Sequence, residues 1–204
     1  TTNQFDIVQQ PMGTNQGVHS SSIAFGDYDN DGDLDIVLTG YDGANPRFII
    51  YRNDAGTFNQ VQEPMGANQG VYDSSVAFGD YDNDGDLDIA LTGDDGVNKR
   101  FIIYRNDAGI FNQAQEPMGA NQGIDSSSIA FGDYDNDGDL DIALTGKDNG
   151  GTRKFIIYRN DGGIFTNVQE PMGTNQGVSS SSIAFGDYDN DGDLDIALTG
   201  YDNS

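Results

Sequence analysis

The chain has 204 residues, of which 34 are acidic, 9 are Lys or Arg and 1 is His, so that its formal net charge at pH 7 is -25. Such a charge excludes nucleic acid and anionic lipid as direct partners, because phosphates would be repelled and no basic patch offsets the repulsion. The chain contains no Cys, which excludes disulfides, zinc–thiolate sites and thiol nucleophiles, and it has no run of apolar residues long enough to span a membrane.

A repeat of about 53 residues extends over the whole chain. The segment Phe-Gly-Asp-Tyr-Asp-Asn-Asp-Gly-Asp-Leu-Asp-Ile occurs four times, at spacings of 53, 53 and 54 residues. Its copies begin at Phe25, Phe78, Phe131 and Phe185. Four tandem units result, over residues 5–57, 58–110, 111–164 and 165–204. This regularity is typical of repeat proteins and excludes the disorder that an acidic, glycine-rich composition alone would allow.

The elements of each unit are predicted to be strands, because apolar residues recur with a period of two rather than 3.6. In chain order they are a polar strand D over residues 5–10, strand A from Ser22, strand B from Leu34, strand C from Arg47 and the next strand D from Phe58. Strand C is nearly continuously apolar, as expected of a strand covered on both faces. Strand D is polar enough to lie at an edge. No stretch of ten or more residues is predicted to be helical.

Four short strands per unit predict an all-β fold built from β-propeller blades, each with four antiparallel strands. The alternative is an all-β sandwich, whose strands have no reason to repeat in groups of four. The last unit ends after strands A and B and lacks its third strand, so residues 1–204 are predicted to form a single propeller or a portion of one. Two hypotheses account for the incomplete ring. The chain belongs to a longer array, or it is a homo-oligomer in which a second copy helps to close the ring.

The loop between strands A and B carries the residues with the clearest chemistry. In the first copy, residues 27–35, five aspartates at alternate positions surround a glycine at the sixth position. Alternate residues of a tightly wound loop point at one centre, and the Asp33 carbonyl is expected to face it, as a hard divalent cation with several oxygen ligands requires. The alternative is a solvated acidic turn without metal, since Asp, Asn and Gly are ordinary turn residues.

Four intact copies of this loop favour a cation, because five carboxylates so close together would repel one another without one. Calcium is expected rather than magnesium, which keeps several of its waters and a rigid octahedron. The prediction is therefore one Ca²⁺ per repeat, four in total. The predicted ligands are Asp27, Asp29, Asp31, Asp33 and Asp35; Asp80, Asp82, Asp84, Asp86 and Asp88; Asp133, Asp135, Asp137, Asp139 and Asp141; and Asp187, Asp189, Asp191, Asp193 and Asp195.

The pair Phe25-Gly26, followed by Asp-x-Asp-x-Asp-Gly-x-x-Asp and then by Leu-Thr-Gly at residues 38–40, resembles the FG-GAP/VCBS repeats of integrin alpha-chain propellers and of many bacterial surface proteins. The resemblance covers essentially the whole chain. It implies a propeller, usually of seven blades, with calcium in the A–B hairpin loops on one face. Four incomplete units depart from that count.

The units differ from one another before strand A and in the B–C loop, and both segments of a propeller emerge opposite the A–B loops. This predicts a ligand face formed by His19, Tyr41, Tyr72, Asp125 and Ser179, with simple drift between copies as the alternative. The predicted function is a calcium-stabilised structural, adhesive or protein-interaction module. The alternative is a lectin that holds glycan on this face, with tyrosines as platforms.

An enzyme is not expected, because the chain has one His and no Cys and its paired carboxylates belong to the metal loops. The location is predicted to be extracellular or at the cell surface. Extracellular modules with such ligands bind calcium with a Kd of about 10⁻⁴–10⁻³ M, which suits the calcium concentration outside cells.

Overall fold

The computed structural model describes residues 9–13 and 16–202, and the described part of the chain forms strands without a helix. No helix able to span a bilayer occurs among these residues. Of the strand predicted over residues 5–10, residues 5–8 lie outside the described part. The strands are β1 His19–Gly26, β2 Asp35–Tyr41, β3 Pro46–Asp54, β4 Thr57–Gln62, β5 Tyr72–Gly79, β6 Asp88–Asp94, β7 Lys99–Asp107, β8 Ile110–Gln115, β9 Ile124–Gly132, β10 Asp141–Asp148, β11 Arg153–Asn160, β12 Phe165–Gln169, β13 Ser179–Gly186 and β14 Asp195–Tyr201.

The strands form three four-stranded sheets and one two-stranded sheet, each a meander of neighbouring antiparallel strands. The orders are β1-β2-β3-β4, β5-β6-β7-β8, β9-β10-β11-β12 and β13-β14. The predicted all-β fold with four antiparallel strands per unit is confirmed. Each complete sheet contains strands A, B, C and D in that order, so its fourth strand comes from the start of the next sequence unit.

The two ends of each sheet carry different segments. In the first sheet, Gly26 pairs with Asp35 at one end, and His19 pairs with Tyr41 at the other. The A–B loop and the segment before strand A therefore lie at opposite ends of the sheet. This arrangement repeats in the second and third sheets, because β5 with β6 and β9 with β10 keep nearly the same register.

The core lies between successive sheets as well as within them. Strands β2 and β3 bury Val37, Phe48 and Ile50 completely, as the apolar sequence of strand C predicts. These side chains join one cluster with Val76 and Tyr104 of the second sheet. A sheet therefore buries its faces only by packing on its neighbours, which is the physical basis of repeat architectures.

Strand A forms the contact between neighbouring sheets, and this contact explains the Phe-Gly pair of the repeat. A Cβ atom added to Gly26 would lie 2.8 Å from the ring of Phe78 and 2.9 Å from Leu87, both of the next repeat. The glycine is needed because the phenylalanine of the following repeat occupies the space of a side chain. Gly79 and Gly132 receive Phe131 and Phe185 in the same way.

Candidate metal centres

Four clusters of three aspartates lie at the A–B end of the sheets. Within each cluster, one carboxylate oxygen from every residue lies within 4.8 Å of the other two, so each cluster can hold a metal ion. The members are the first, third and ninth residues of each metal loop, the name used here for residues 27–35, 80–88, 133–141 and 187–195. The clusters are Asp27, Asp29 and Asp35; Asp80, Asp82 and Asp88; Asp133, Asp135 and Asp141; and Asp187, Asp189 and Asp195.

The aspartate at the first position stabilises the turn of the metal loop. One carboxylate oxygen of Asp27 accepts the N–H of Asp31 and the other accepts the N–H of Gly32, each at 3.0 Å. Asn30 has a φ of 58° and Gly32 a φ of 94°, and both residue types tolerate this left-handed conformation. The turn brings the first and third carboxylates to within 4.8 Å of the ninth, which an extended backbone would hold far from both of them.

The aspartate at the ninth position connects the metal loop to the sheet. Asp35 is fully buried, and its two carboxylate oxygens accept the N–H of Tyr28 at 3.2 Å and the N–H of Asn53 at 2.8 Å. Burial raises the pKa of Asp35, although these hydrogen bonds oppose the rise. The same cause raises the pKa of Asp88 to about 7 and that of Asp141 to about 6. An ionised carboxylate is therefore costly at this position unless a positive charge neutralises it.

In the first and second metal loops, the aspartate at the third position has a carboxylate oxygen without a hydrogen-bond partner among the described residues. The Oδ1 atoms of Asp29 and Asp82 are buried and have no hydrogen-bond partner among the described residues. Burial, and then the charge of the neighbouring aspartate at the fifth position, raises the pKa of both carboxyls. Buried polar atoms are rarely left unsatisfied, so this oxygen needs a ligand. A site made of carboxylate oxygens fits a hard divalent cation.

The aspartates at the fifth and seventh loop positions were also predicted to bind metal, but their carboxylates are not part of the three-residue clusters. Asp31 Oδ1 accepts the N–H of Asp33 at 2.8 Å, and Asp33 Oδ2 accepts the N–H of Ala55 at 3.0 Å. In the second loop, Asp86 Oδ1 accepts the side-chain amide of Asn30 at 2.8 Å, so that neighbouring metal loops are joined. The carboxylate at the seventh position therefore accepts hydrogen bonds from groups outside its own metal loop.

An asparagine at or next to the end of strand C supports the site and was not predicted to do so. This asparagine is the third residue of the Tyr-Arg-Asn-Asp segment. In each complete sheet its N–H donates a hydrogen bond to the aspartate at the ninth loop position, as Asn106 does to Asp88 at 2.8 Å. Its side-chain amide also reaches Leu87 O at 3.1 Å. The recurrence of this segment at the same place in three units was the available signal.

The fourth metal loop is more open than the others. Asp195 is half-buried, whereas its counterparts Asp35, Asp88 and Asp141 are fully buried. Its Oδ2 still accepts the N–H of Tyr188 at 3.2 Å. The two-stranded sheet of β13 and β14 has no strand C, so the asparagine N–H that holds the ninth aspartate elsewhere is missing from the described residues.

At the opposite end, the structure brings three of the five predicted ligand-face residues together. The ring centroids of His19 and Tyr41 are 5.5 Å apart, and those of Tyr41 and Tyr72 are 5.6 Å apart. Asp125 forms an ion pair with Lys99 at 3.1 Å. Ser179 is only 1% exposed. Its hydroxyl accepts a hydrogen bond of 3.1 Å from Nε of Arg153, and its place in the ligand face stays a prediction.

The comparisons with known proteins agree with the repeat pattern. The family model described as FG-GAP-like repeat matches residues 27–91, 80–144 and 143–198, which include all four metal loops. No curated protein matches the chain. The matched segments cover most of the chain, and the resemblance drawn from the Phe-Gly pair and the aspartate loop is confirmed. The chain therefore belongs to the family of FG-GAP-like repeat proteins.

Proposed function

We propose that the chain is a calcium-stabilised β-propeller module, extracellular or at the cell surface, with a structural, adhesive or protein-interaction role rather than an enzymatic one. One observation carries the calcium proposal. A buried carboxylate oxygen in the first and second metal loops, Oδ1 of Asp29 and of Asp82, lacks a hydrogen-bond partner among the described residues while two other carboxylates lie beside it. A bound cation would satisfy this oxygen and neutralise the cluster.

Within this proposal, each aspartate of a cluster has its own task. Asp27 closes the turn through two backbone N–H groups, Asp29 offers its unpaired oxygen, and Asp35 links the loop to strand β3. Calcium, when bound, supplies the positive charge that makes ionisation of these buried carboxyls favourable. Calcium would suit the site better than magnesium, because carboxylates of the loop would take the place of water around the ion, whereas magnesium keeps several of its waters.

A structural role follows from where the metal loops lie. Each loop joins two neighbouring strands at the end of a sheet, and Asp35 also reaches strand β3, so a bound ion would fasten three strands. Binding to the folded state alone adds about 2.7 kcal/mol per site when free calcium is a hundredfold above Kd. Extracellular modules bind calcium with a Kd of about 10⁻⁴–10⁻³ M, which supports a location where calcium is abundant.

The propeller proposal is supported by the way the sheets are built and packed. Each complete sheet is a four-stranded meander, and successive sheets pack through their first strands, as blades do around a central axis. The family membership points in the same direction.

Thermal unfolding tests the calcium proposal. We expect the Tm to rise markedly with calcium relative to chelator, and less with magnesium at equal concentration. Asp82→Asn should remove part of this rise, because it replaces the carboxylate whose oxygen is unpaired. Asp54→Asn, the same charge change at an exposed ion pair outside the metal loops, should leave the rise intact. A Tm that does not respond to calcium would contradict the proposal.

A lectin-like function is the second candidate, and the contact between His19, Tyr41 and Tyr72 favours it. Adjacent aromatic rings at the end of the sheets opposite the metal loops provide an apolar platform of the kind that sugars stack on. A glycan array with the wild-type protein and with Tyr72→Ala tests this function. Binding that is lost in the variant supports it, and the absence of any glycan signal leaves the structural role as the conclusion.

A further inference from the structure

The contact between successive repeats is made in the same way three times. The glycine that ends strand A receives the phenylalanine of the next repeat, and an added Cβ atom would lie 2.8 Å from Phe78 at Gly26, 2.7 Å from Phe131 at Gly79 and 2.6 Å from Phe185 at Gly132. A leucine of the next metal loop packs on the same glycine in the first and third contacts. Each contact therefore has a receiving face, centred on the glycine, and an inserting face, centred on Phe and Leu.

Two hydrogen bonds accompany each of these contacts. In the first one, the N–H of Val76 donates to Ser22 Oγ at 3.2 Å, and the hydroxyls of Thr39 and Ser74 lie 2.8 Å apart. Equivalent pairs occur at the second and third contacts. The contact thus combines apolar insertion with specific polar pairing, which makes it selective for another copy of the same repeat.

The first sheet presents an inserting face that is open. Phe25 is 60% exposed, and Ile23 and Leu34 are each 56% exposed. In contrast, Val76, the counterpart of Ile23 in the second repeat, is 7% exposed. Three neighbouring apolar side chains of this size are unusual on the surface of a monomer and mark an interaction site.

The last sheet presents a receiving face that is open. A Cβ atom added to Gly186 would have no atom within 4 Å, unlike one at the three equivalent glycines. Ala197 and Thr199 beside it are exposed, although their counterparts Val37 and Thr39 in the first repeat are fully buried. The face has the same residue types as the receiving faces that are filled within the chain.

We propose that the inserting face of one copy packs on the receiving face of a second copy, with Phe25 and Leu34 against Gly186. The second copy is the occupant because the two faces are the two halves of a contact that the chain already makes three times. Ser182 and Thr199 are the counterparts of Ser22 and Thr39, whose hydroxyls form hydrogen bonds with Val76 N–H and with the Ser74 hydroxyl of the next repeat. Such a head-to-tail contact is heterologous, and repetition closes into a ring or continues as a filament.

The mass in solution tests this proposal, measured by sedimentation velocity over a wide range of protein concentrations with calcium present throughout. We expect assemblies that grow with concentration. Gly186→Val should reduce the mass to that of one chain. It should not lower the Tm at protein concentrations where the wild type is also monomeric, because the position is open and its φ lies outside the left-handed region. Phe25→Ser should do the same from the other side of the contact.

The matched control is Gly17→Ala. Gly17 is also open and outside the left-handed region, but its counterparts Gly70, Gly123 and Gly177 lie against strand C of the preceding sheet. The sheet of β13 and β14 has no strand C in the described residues, so this variant should assemble like the wild type.

Mixing the two monomeric variants gives the sharpest result. Gly186→Val retains an intact inserting face and Phe25→Ser an intact receiving face, so a mixture should form a complex of one chain of each and nothing larger. A mixture that stays monomeric would overturn the proposal. So would a wild-type protein that stays monomeric at every concentration, whether its faces stay open or close on each other within one chain.

Discussion

The side-chain amide of Asn106 donates a hydrogen bond of 2.7 Å to the backbone carbonyl of Tyr28, 78 residues earlier in the chain. Asn106 is the next-to-last residue of β7, strand C of the second sheet, and Tyr28 is the second residue of the first metal loop. The same asparagine holds Asp88 of its own metal loop through its N–H. Because Asn160 binds the carbonyl of Tyr81 in the same way, neighbouring metal loops are connected through the core rather than only through solvent.

Removal of the Asn106 side chain is expected to lower the free energy of unfolding. Asn106→Ala leaves the buried carbonyl of Tyr28 without its donor, which costs about 1–3 kcal/mol for each unsatisfied group. The matched control is Asn53→Ala, since Asn53 makes the equivalent bonds within its own repeat, to Leu34 and Gly56. Urea unfolding of both variants measures the difference. Equal losses would show that the bond to Tyr28 contributes nothing.

The four proposed calcium sites are expected to differ in affinity. The fourth site should be the weakest, because Asp195 is more exposed than its counterparts and lacks the N–H donor of strand C. Calorimetric titration should resolve three tighter sites and one weaker site. Asp187→Asn should remove the weaker event and Asp80→Asn one of the tighter events. Four indistinguishable sites in the wild type would contradict this ranking.

The stability of the calcium-free protein is expected to increase as the pH falls from neutrality. Burial raises the pKa of Asp88 from 3.8 to about 7, so between these values the folded state binds more protons than the unfolded state. The free energy of unfolding then decreases as the pH rises through this window, because the buried carboxyl must ionise without a positive charge to neutralise it.

Thermal unfolding in chelator at a series of pH values checks this dependence. With calcium present the trend should be reversed, since protons then compete with the cation for the same carboxylates. Asp88→Asn should weaken the pH dependence in chelator. A Tm in chelator that falls steadily on acidification would be inconsistent with the raised pKa.

The packing of repeat on repeat can be tested at the strand A glycines. Gly79→Ala places a Cβ atom 2.7 Å from the ring of Phe131, and such overpacking costs about 1–3 kcal/mol. Gly186→Ala, at the equivalent position of the last repeat, meets no atom within 4 Å and should leave the free energy of unfolding of the single chain unchanged. Urea unfolding in chelator at low protein concentration compares the two variants. A loss at Gly186 that equals the loss at Gly79 would mean that strain in the backbone, not the phenylalanine, accounts for it.

The sequence by itself determined the local features of this protein. The period of two, the β-branched strand C and the glycines and asparagines between strands specify antiparallel strands, because backbone preference and alternation act over a few residues. The metal loop was equally predictable. Asp27 and Gly32 make their turn within a single nonapeptide, so the spacing alone shows that carboxylates converge.

Only the tertiary structure decided which carboxylates of a metal loop lie together and which side chains are buried. The cluster uses Asp27, Asp29 and Asp35, whereas the Asp33 carboxylate accepts the N–H of Ala55, which lies in the turn between β3 and β4. The burial of Ser179 and the openness of the fourth loop likewise depend on which strands pack nearby. Nearly identical copies thus come to lie in different environments, since burial and hydrogen bonding depend on residues distant in the chain and a local motif does not encode its neighbours.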